Sequence, residues 1–84
     1  MELAPQDEEI RGVLQRFMKR MSKAFSIGLD SAKGRGEVAA DLDVDTAGDM
    51  LTSTMFGLTV LGRTGFPKKA LDDIVERTID GLRP

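Results

Sequence analysis

Three stretches of the chain carry apolar residues at helical spacing, set apart by glycine, proline and aspartate. In the first, Ile10, Leu14, Phe17, Met21, Ala24 and Gly28 recur at alternating intervals of four and three, flanked by Val13, Met18, Phe25, Leu29 and Ala32. That spacing predicts one continuous apolar helix face, and residues 10 to 33 as a helix extend roughly 36 Å at about 1.5 Å per residue. Arg16, Lys19, Arg20 and Lys23 fall on its outer face, and Ile27 is the single apolar residue off the stripe. Before it, Met1 to Gln6 reads as a short lead-in; Pro5 suits a first turn, and Asp7, Glu8 and Glu9 suit the positive end of the helix dipole. Lys33-Gly34-Arg35-Gly36 closes the helix, with cations at its negative end and glycine free to turn left-handed.

The second stretch, Asp41 to Gly65, organises the rest. Asp43 is placed to accept hydrogen bonds from the first free N–H groups of a helix, and Asp45 and Asp49 add negative charge near that end. Ala47, Met50, Leu51, Thr54, Met55, Leu58 and Leu61 share one broad stripe, whereas Phe56 and Val60 lie on the opposite side. A helix apolar on two sides is expected to be buried on two sides, one by its own core and the other by a second copy of the chain. In the third stretch, Leu71, Ile74, Val75, Thr78 and Leu82 share a face, Ile79 borders it, and Asp72, Asp73, Glu76, Arg77 and Asp80 point out. Lys68 and Lys69 oppose the dipole at its start, so that end is expected to fray or to be held by Phe66. The expectation is an all-α chain of three helices, about 7–34, 43–64 and 67–82, forming one domain over residues 1–84. No β-like alternation, internal repeat or low-complexity segment interrupts this pattern.

Composition narrows the chemistry. Eighty-four residues form one small domain, and a chain of this size buries only about 60% of its unfolded surface, so a second subunit would help. There is no Cys, His, Trp or Tyr. The commonest general base, the usual nucleophile-activating pairs and most zinc chemistry are therefore gone, and an enzyme is not expected. A formal net charge of −2 argues against gripping a nucleic-acid backbone. The basic stripe on the first helix has no interleaved aromatics and reads as a solvated face. No apolar run approaches a membrane span, the N-terminus lacks signal-peptide features, and the absence of cysteine fits a reducing cytoplasm.

Two metal or cofactor patterns fail on inspection. Asp41, Asp43, Asp45 and Asp49 match four EF-hand positions, but Thr46 stands where glycine is needed and Thr52 where a bidentate glutamate is needed. Gly34-x-Gly36-x-x-Ala39 matches a loose dinucleotide fingerprint, yet it follows a helix rather than a strand. No cofactor is expected. Gly57 and Gly62, with Gly48 upstream, each cost about 1 kcal/mol against alanine inside a helix, which suggests close approach by another helix.

From about Glu2 to Leu82 the chain resembles the C-terminal regulatory region of tetracycline-repressor (TetR) family transcriptional regulators. The resemblance rests on ELAPQDEEIR leading into a long helix, FSIGLDSAKGRGEVAADLDVDTAGDML, the Gly57-Leu58 pair with VLGRTG, and ALDDIVERTIDGL. It implies that residues 43 to 64 and 67 to 82 form a four-helix bundle with a second subunit, and that residues 7 to 33 help wall an effector pocket. Val44 departs from a frequent proline and Phe66 from a usual polar cap. The helix-turn-helix domain that precedes this region in the family is not among these residues, and Met1 to Ala4 resembles the tail of one of its linking helices. The expectation is a truncated reading frame or proteolytic remnant that makes no DNA contact itself.

Phe17, Met18, Met21 and Phe25 would line the pocket or form core, with Ser22, Ser26 and Thr59 as polar handles for a small apolar effector. Phe56, Gly57, Val60, Leu61, Ile74 and Thr78 are the expected homodimer contacts. The expected function is dimerisation and small-molecule effector sensing for a TetR-like regulator. The alternative is a stand-alone helical module that sequesters a full-length regulator as a heterodimer.

Overall fold

The computed structural model describes residues 5–84, so the Met1–Ala4 lead-in lies outside the described residues. It contains α1 (Pro5–Gly34), α2 (Val44–Arg63) and α3 (Lys68–Asp80), and no strand among those residues. The three predicted helices are all present, with α1 reaching back to Pro5 and α3 stopping at Asp80.

Local chemistry explains the helix ends. The Asp43 carboxylate accepts from the N–H groups of Asp45 at 3.1 Å and Thr46 at 3.2 Å and starts α2. Gly36, at φ +73°, turns the chain after α1; Glu37 N–H then reaches the Ala32 carbonyl at 3.0 Å and Gly36 N–H reaches Lys33 at 3.1 Å. Gly65, at φ +78°, does the same after α2, where Phe66 N–H donates to the Leu61 carbonyl at 3.3 Å. At the start of α3, Phe66 is 41% exposed, and Lys68 and Lys69 pair one turn on with Asp72 at 2.7 Å and Asp73 at 3.0 Å. These pairs redirect both cations from the helix N-terminus toward carboxylates, while Pro67 offers no side-chain cap.

The core is small. Leu29, Val38 and Ala47 are buried, with Ala32, Leu42, Val44, Leu51 and Leu82 packed around them. It sits at the end of the protomer where α1, the 35–43 connection and α2 converge. Lys33 Nζ donates to the Leu42 carbonyl at 2.9 Å, and Ala39 N–H donates to the Leu82 carbonyl at 2.9 Å, tying the connection to α1 and to the tail of α3.

The packed face of α1 is narrower than its apolar periodicity suggests. Met18, Met21, Phe25, Leu29 and Ala32 are buried or half-buried, but Ala24 and Gly28 are exposed, and Ile10, Leu14 and Phe17 are 43–58% exposed. On α2, Met50 also departs from its expected stripe and is 63% exposed, because the helix turns Ala47, Leu51 and Thr52 inward instead.

α1 packs along α2, α2 touches α3 more lightly, and α1 and α3 make no helix–helix contact among the described residues. The result is an open slab of 47 × 29 × 19 Å. Its radius of gyration is 15.4 Å, against about 12 Å for a compact domain of this length. Its accessible surface is 6515 Å², against about 4,900 Å² for a compact 9.2 kDa protein, an excess of about 1,600 Å².

Candidate functional site

Small residues bring α1 and α2 together. Ser22 and Ser26 lie one turn apart on α1, opposite Gly48 and Thr52, also one turn apart on α2. A Cβ at Gly48 would lie 2.7 Å from the Ser22 carbonyl oxygen, 3.2 Å from Ser26 N and 3.4 Å from Ser26 Cβ. Two backbones are thus in direct contact, which only a residue without a side chain permits. Beside this contact Ser22 Oγ donates to Thr52 Oγ1 at 3.0 Å, and Thr52 Oγ1 donates to the Gly48 carbonyl at 2.8 Å. Thr52 is 1% exposed, so its hydroxyl is buried with both roles filled.

Beyond this clasp the helices leave an open trough of about 1260 Å³. On the α1 side it is lined by Arg11, Arg16, Lys19 and Lys23 with Met18, Ser22 and Ser26, and on the α2 side by Asp45 and Asp49. Arg11 pairs within its own helix, with Glu8 at 3.7 Å. Asp43, at the α2 start, has its carboxyl held below the usual carboxylate range, chiefly by the Thr46 N–H and hydroxyl, which outweigh the opposing desolvation, and to a lesser degree by the Asp45 N–H and the Lys33 charge.

The predicted pocket residues divide. Met18 reaches the trough with Ser22 and Ser26; Met21 and Phe25 are half-buried beside α2, and Phe17 is 46% exposed. Thr59 is exposed on α2 and spends its hydroxyl on the Met55 carbonyl at 2.9 Å, as Ser26 does on Lys23 at 3.0 Å. The predicted dimer contacts form a more coherent set. Phe56, Val60 and Ile74 are exposed at 41%, 52% and 36%, and Leu61 and Thr78 are half-buried. At Gly57 nothing lies within 4 Å of where a Cβ would be, so no helix of the same protomer approaches it. Sequence reasoning missed the Ser22–Thr52 clasp, although the paired small residues at four-residue spacing on both helices were a readable signal.

A family model described as tetracyclin repressor-like, C-terminal domain, matches residues 1–78. The chain belongs to this family. No curated protein and no solved structure matches it. As a TetR C-terminal domain it is part of a family of regulators. Among its described residues no helix is long and apolar enough to cross a membrane, and no group of three His, Cys, Asp or Glu is placed to hold a metal ion.

Proposed function

We propose that this TetR C-terminal domain is a dimerisation and effector-sensing unit of a cytoplasmic transcriptional regulator, and not an enzyme. The observation that carries the reading is the unfinished surface of the protomer. Its excess of about 1,600 Å² exceeds the roughly 800 Å² each partner contributes to a standard interface. On α2 and α3 that surface includes Phe56, Val60 and Ile74 around the open Gly57, a combination suited to a two-fold bundle in which helices of two copies approach closely.

Sedimentation equilibrium tests the dimer. The parent should associate at tens of micromolar, and Val60→Asp should weaken association because it buries an unpaired charge. A monomeric parent would sink the reading.

The sensing half of the proposal places a small apolar effector against Met18, Met21 and Phe25 of α1. Ligand binding there would bias the angle between α1 and α2, and so the geometry of the dimer, by linkage between two sites. With methyl-labelled methionine, an apolar ligand should shift the Met18 and Met21 signals before that of Met50, which is 63% exposed elsewhere on the surface. Duplex DNA should bind weakly or not at all, because the chain is net negative.

A further inference from the structure

A line of hydrogen bonds crosses from the end of α1 to the tail of α3. Lys33 Nζ, in the last turn of α1, donates to the Leu42 carbonyl at 2.9 Å. Leu42 N–H donates to the Ala39 carbonyl at 3.1 Å, and Ala39 N–H donates to the Leu82 carbonyl at 2.9 Å. Leu82 is held by packing as well: it lies against the core of Leu29, Val38 and Ala47, contributed in turn by α1, the 35–43 connection and α2. It is also joined to the last turn of α3, because Leu82 N–H donates to the Ile79 carbonyl at 3.0 Å and Gly81 N–H to that of Arg77 at 3.1 Å.

We infer that Lys33, Leu42, Ala39 and Leu82 form a relay that sets the position of α3 from the end of α1, with Leu82 as a positioning residue for the dimer face. The inference rests on the α2–α3 dimer proposed above and names how that face is regulated. Little else places α3: it has no buried residue of its own, touches α2 lightly and makes no helix–helix contact with α1 among the described residues. The links from Leu42 to Ala39 and from Ala39 to Leu82 join main-chain groups, so a displacement of the connection is passed on and not absorbed by a rotamer change. Ile74, in the dimer face, stands about two turns of helix back from Leu82, so a tilt at the tail moves it against the partner. An effector held against α1 thereby reaches the dimer through the C-terminal end of that helix, and dimerisation acts back on Ala39 by the same linkage.

A double-mutant cycle tests the relay in the protomer itself. Lys33→Met keeps an unbranched apolar stem but removes the first donor, and Leu82→Ala removes the side chain that seats the tail on the core. Neither residue belongs to the expected dimer contacts. In amide NMR spectra Lys33→Met should shift the signals of Ala39 and of residues 78 to 82. In the Leu82→Ala background it should leave the signals of 78 to 82 where Leu82→Ala alone puts them. Equal shifts in both backgrounds, or no shift of the tail in either, would overturn the relay. Helical circular dichroism checks the fold, and Leu82→Val replaces Leu82→Ala in the cycle if helicity is lost.

Sedimentation equilibrium on the same proteins reads the consequence for the dimer. Both protomers must hold α3 in place, so a variant with α3 seated in about a third of its protomers has a dissociation constant raised about tenfold. Leu82→Ala should reach that range, Lys33→Met should raise the constant by a smaller factor, and the double variant should match Leu82→Ala alone. A double variant weakened by the product of the two single effects, or single variants that dimerise as tightly as the parent, would overturn the relay. A monomeric parent would remove the α2–α3 reading and leave the relay to be decided by the amide signals, so the two failures are told apart.

Discussion

Gly48→Ala is the most informative single substitution in this protomer. The added methyl would stand 2.7 Å from the Ser22 carbonyl oxygen, where an unstrained carbon–oxygen contact is about 3.3–3.6 Å. The opposing atoms belong to the backbone of α1, so no rotamer change relieves the overlap. The helices must separate by more than half an ångström, roughly, against the cost of loosening close packing. Such a separation also stretches the 3.0 Å bond between Ser22 and Thr52. Overpacking of this kind costs about 1–3 kcal/mol, while alanine regains up to about 1 kcal/mol of helix propensity over glycine. The net expectation is a loss of about 1–2 kcal/mol. In urea unfolding followed by helical circular dichroism, a slope near 1 kcal/mol/M, roughly, turns this into a midpoint about 1–2 M lower. Protein concentration must be held constant, because association adds to apparent stability. Gly62→Ala is the internal control: nothing lies within 4 Å of its Cβ position, so it should hold or raise the midpoint. A Gly48→Ala protein as stable as the parent would refute direct backbone contact between α1 and α2.

The remaining predictions address the clasp, the dimer face, the helix cap and the basic stripe. Thr52→Val keeps the shape of a residue that is 1% exposed but removes its hydroxyl, and should cost about 1 kcal/mol in the same unfolding assay. Gly57→Leu should leave protomer helicity intact, since the site is open, yet weaken dimerisation by several kcal/mol, roughly, in sedimentation equilibrium if two copies pack there. The Asp43 carboxyl has a lowered folded-state pKa, so its contribution is present above the ordinary carboxylate value of about 3.9 and is lost as pH falls through the lower folded value. Asp43→Asn should cap the helix without that acid-dependent part, visible as a flatter midpoint-against-pH curve below about pH 4. Replacing Arg16, Lys19 or Lys23 singly with Gln, all exposed, should change stability by less than about 0.5 kcal/mol.

What could be read from the sequence was what depends on near neighbours in the chain. The Asp43 cap and the glycine turn after α1 are local chemistry, settled within a few residues. Periodicity located α1 and its apolar arc, but it carries no information on which part of a wide arc a neighbour will cover. That is why Ala24 and Gly28, at the centre of the pattern, are exposed while Ser22 and Ser26, at its polar edge, meet α2. Glycine inside α2 correctly signalled close approach, yet the approach within the protomer occurs at Gly48 rather than Gly57, because only Gly48 faces small residues on α1. Met50 shares the apolar periodicity of α2 yet is 63% exposed, because periodicity marks a face and not the part of it that a neighbour covers. Of the candidate site, the small-residue clasp demanded pairing two distant four-residue spacings, which single-helix reasoning does not attempt.

The light attachment of α3 has a consequence for how the chain opens. A light contact with α2, the packing of Leu82 on the core, one main-chain bond from Ala39 to Leu82, 2.9 Å long, and the turn at Gly65 tether a helix with no buried residue of its own. The α1–α2 pair, by contrast, is fastened by backbone contact and a filled hydroxyl pair. Amide hydrogens of α3 should therefore exchange with solvent through local detachment, while those around Gly48 and Thr52 wait for the whole pair to unfold. Any neighbour that packs on α3 slows the first process without touching the second. The exchange rate of a single helix thus becomes a gauge of assembly, readable at protein concentrations too low for sedimentation.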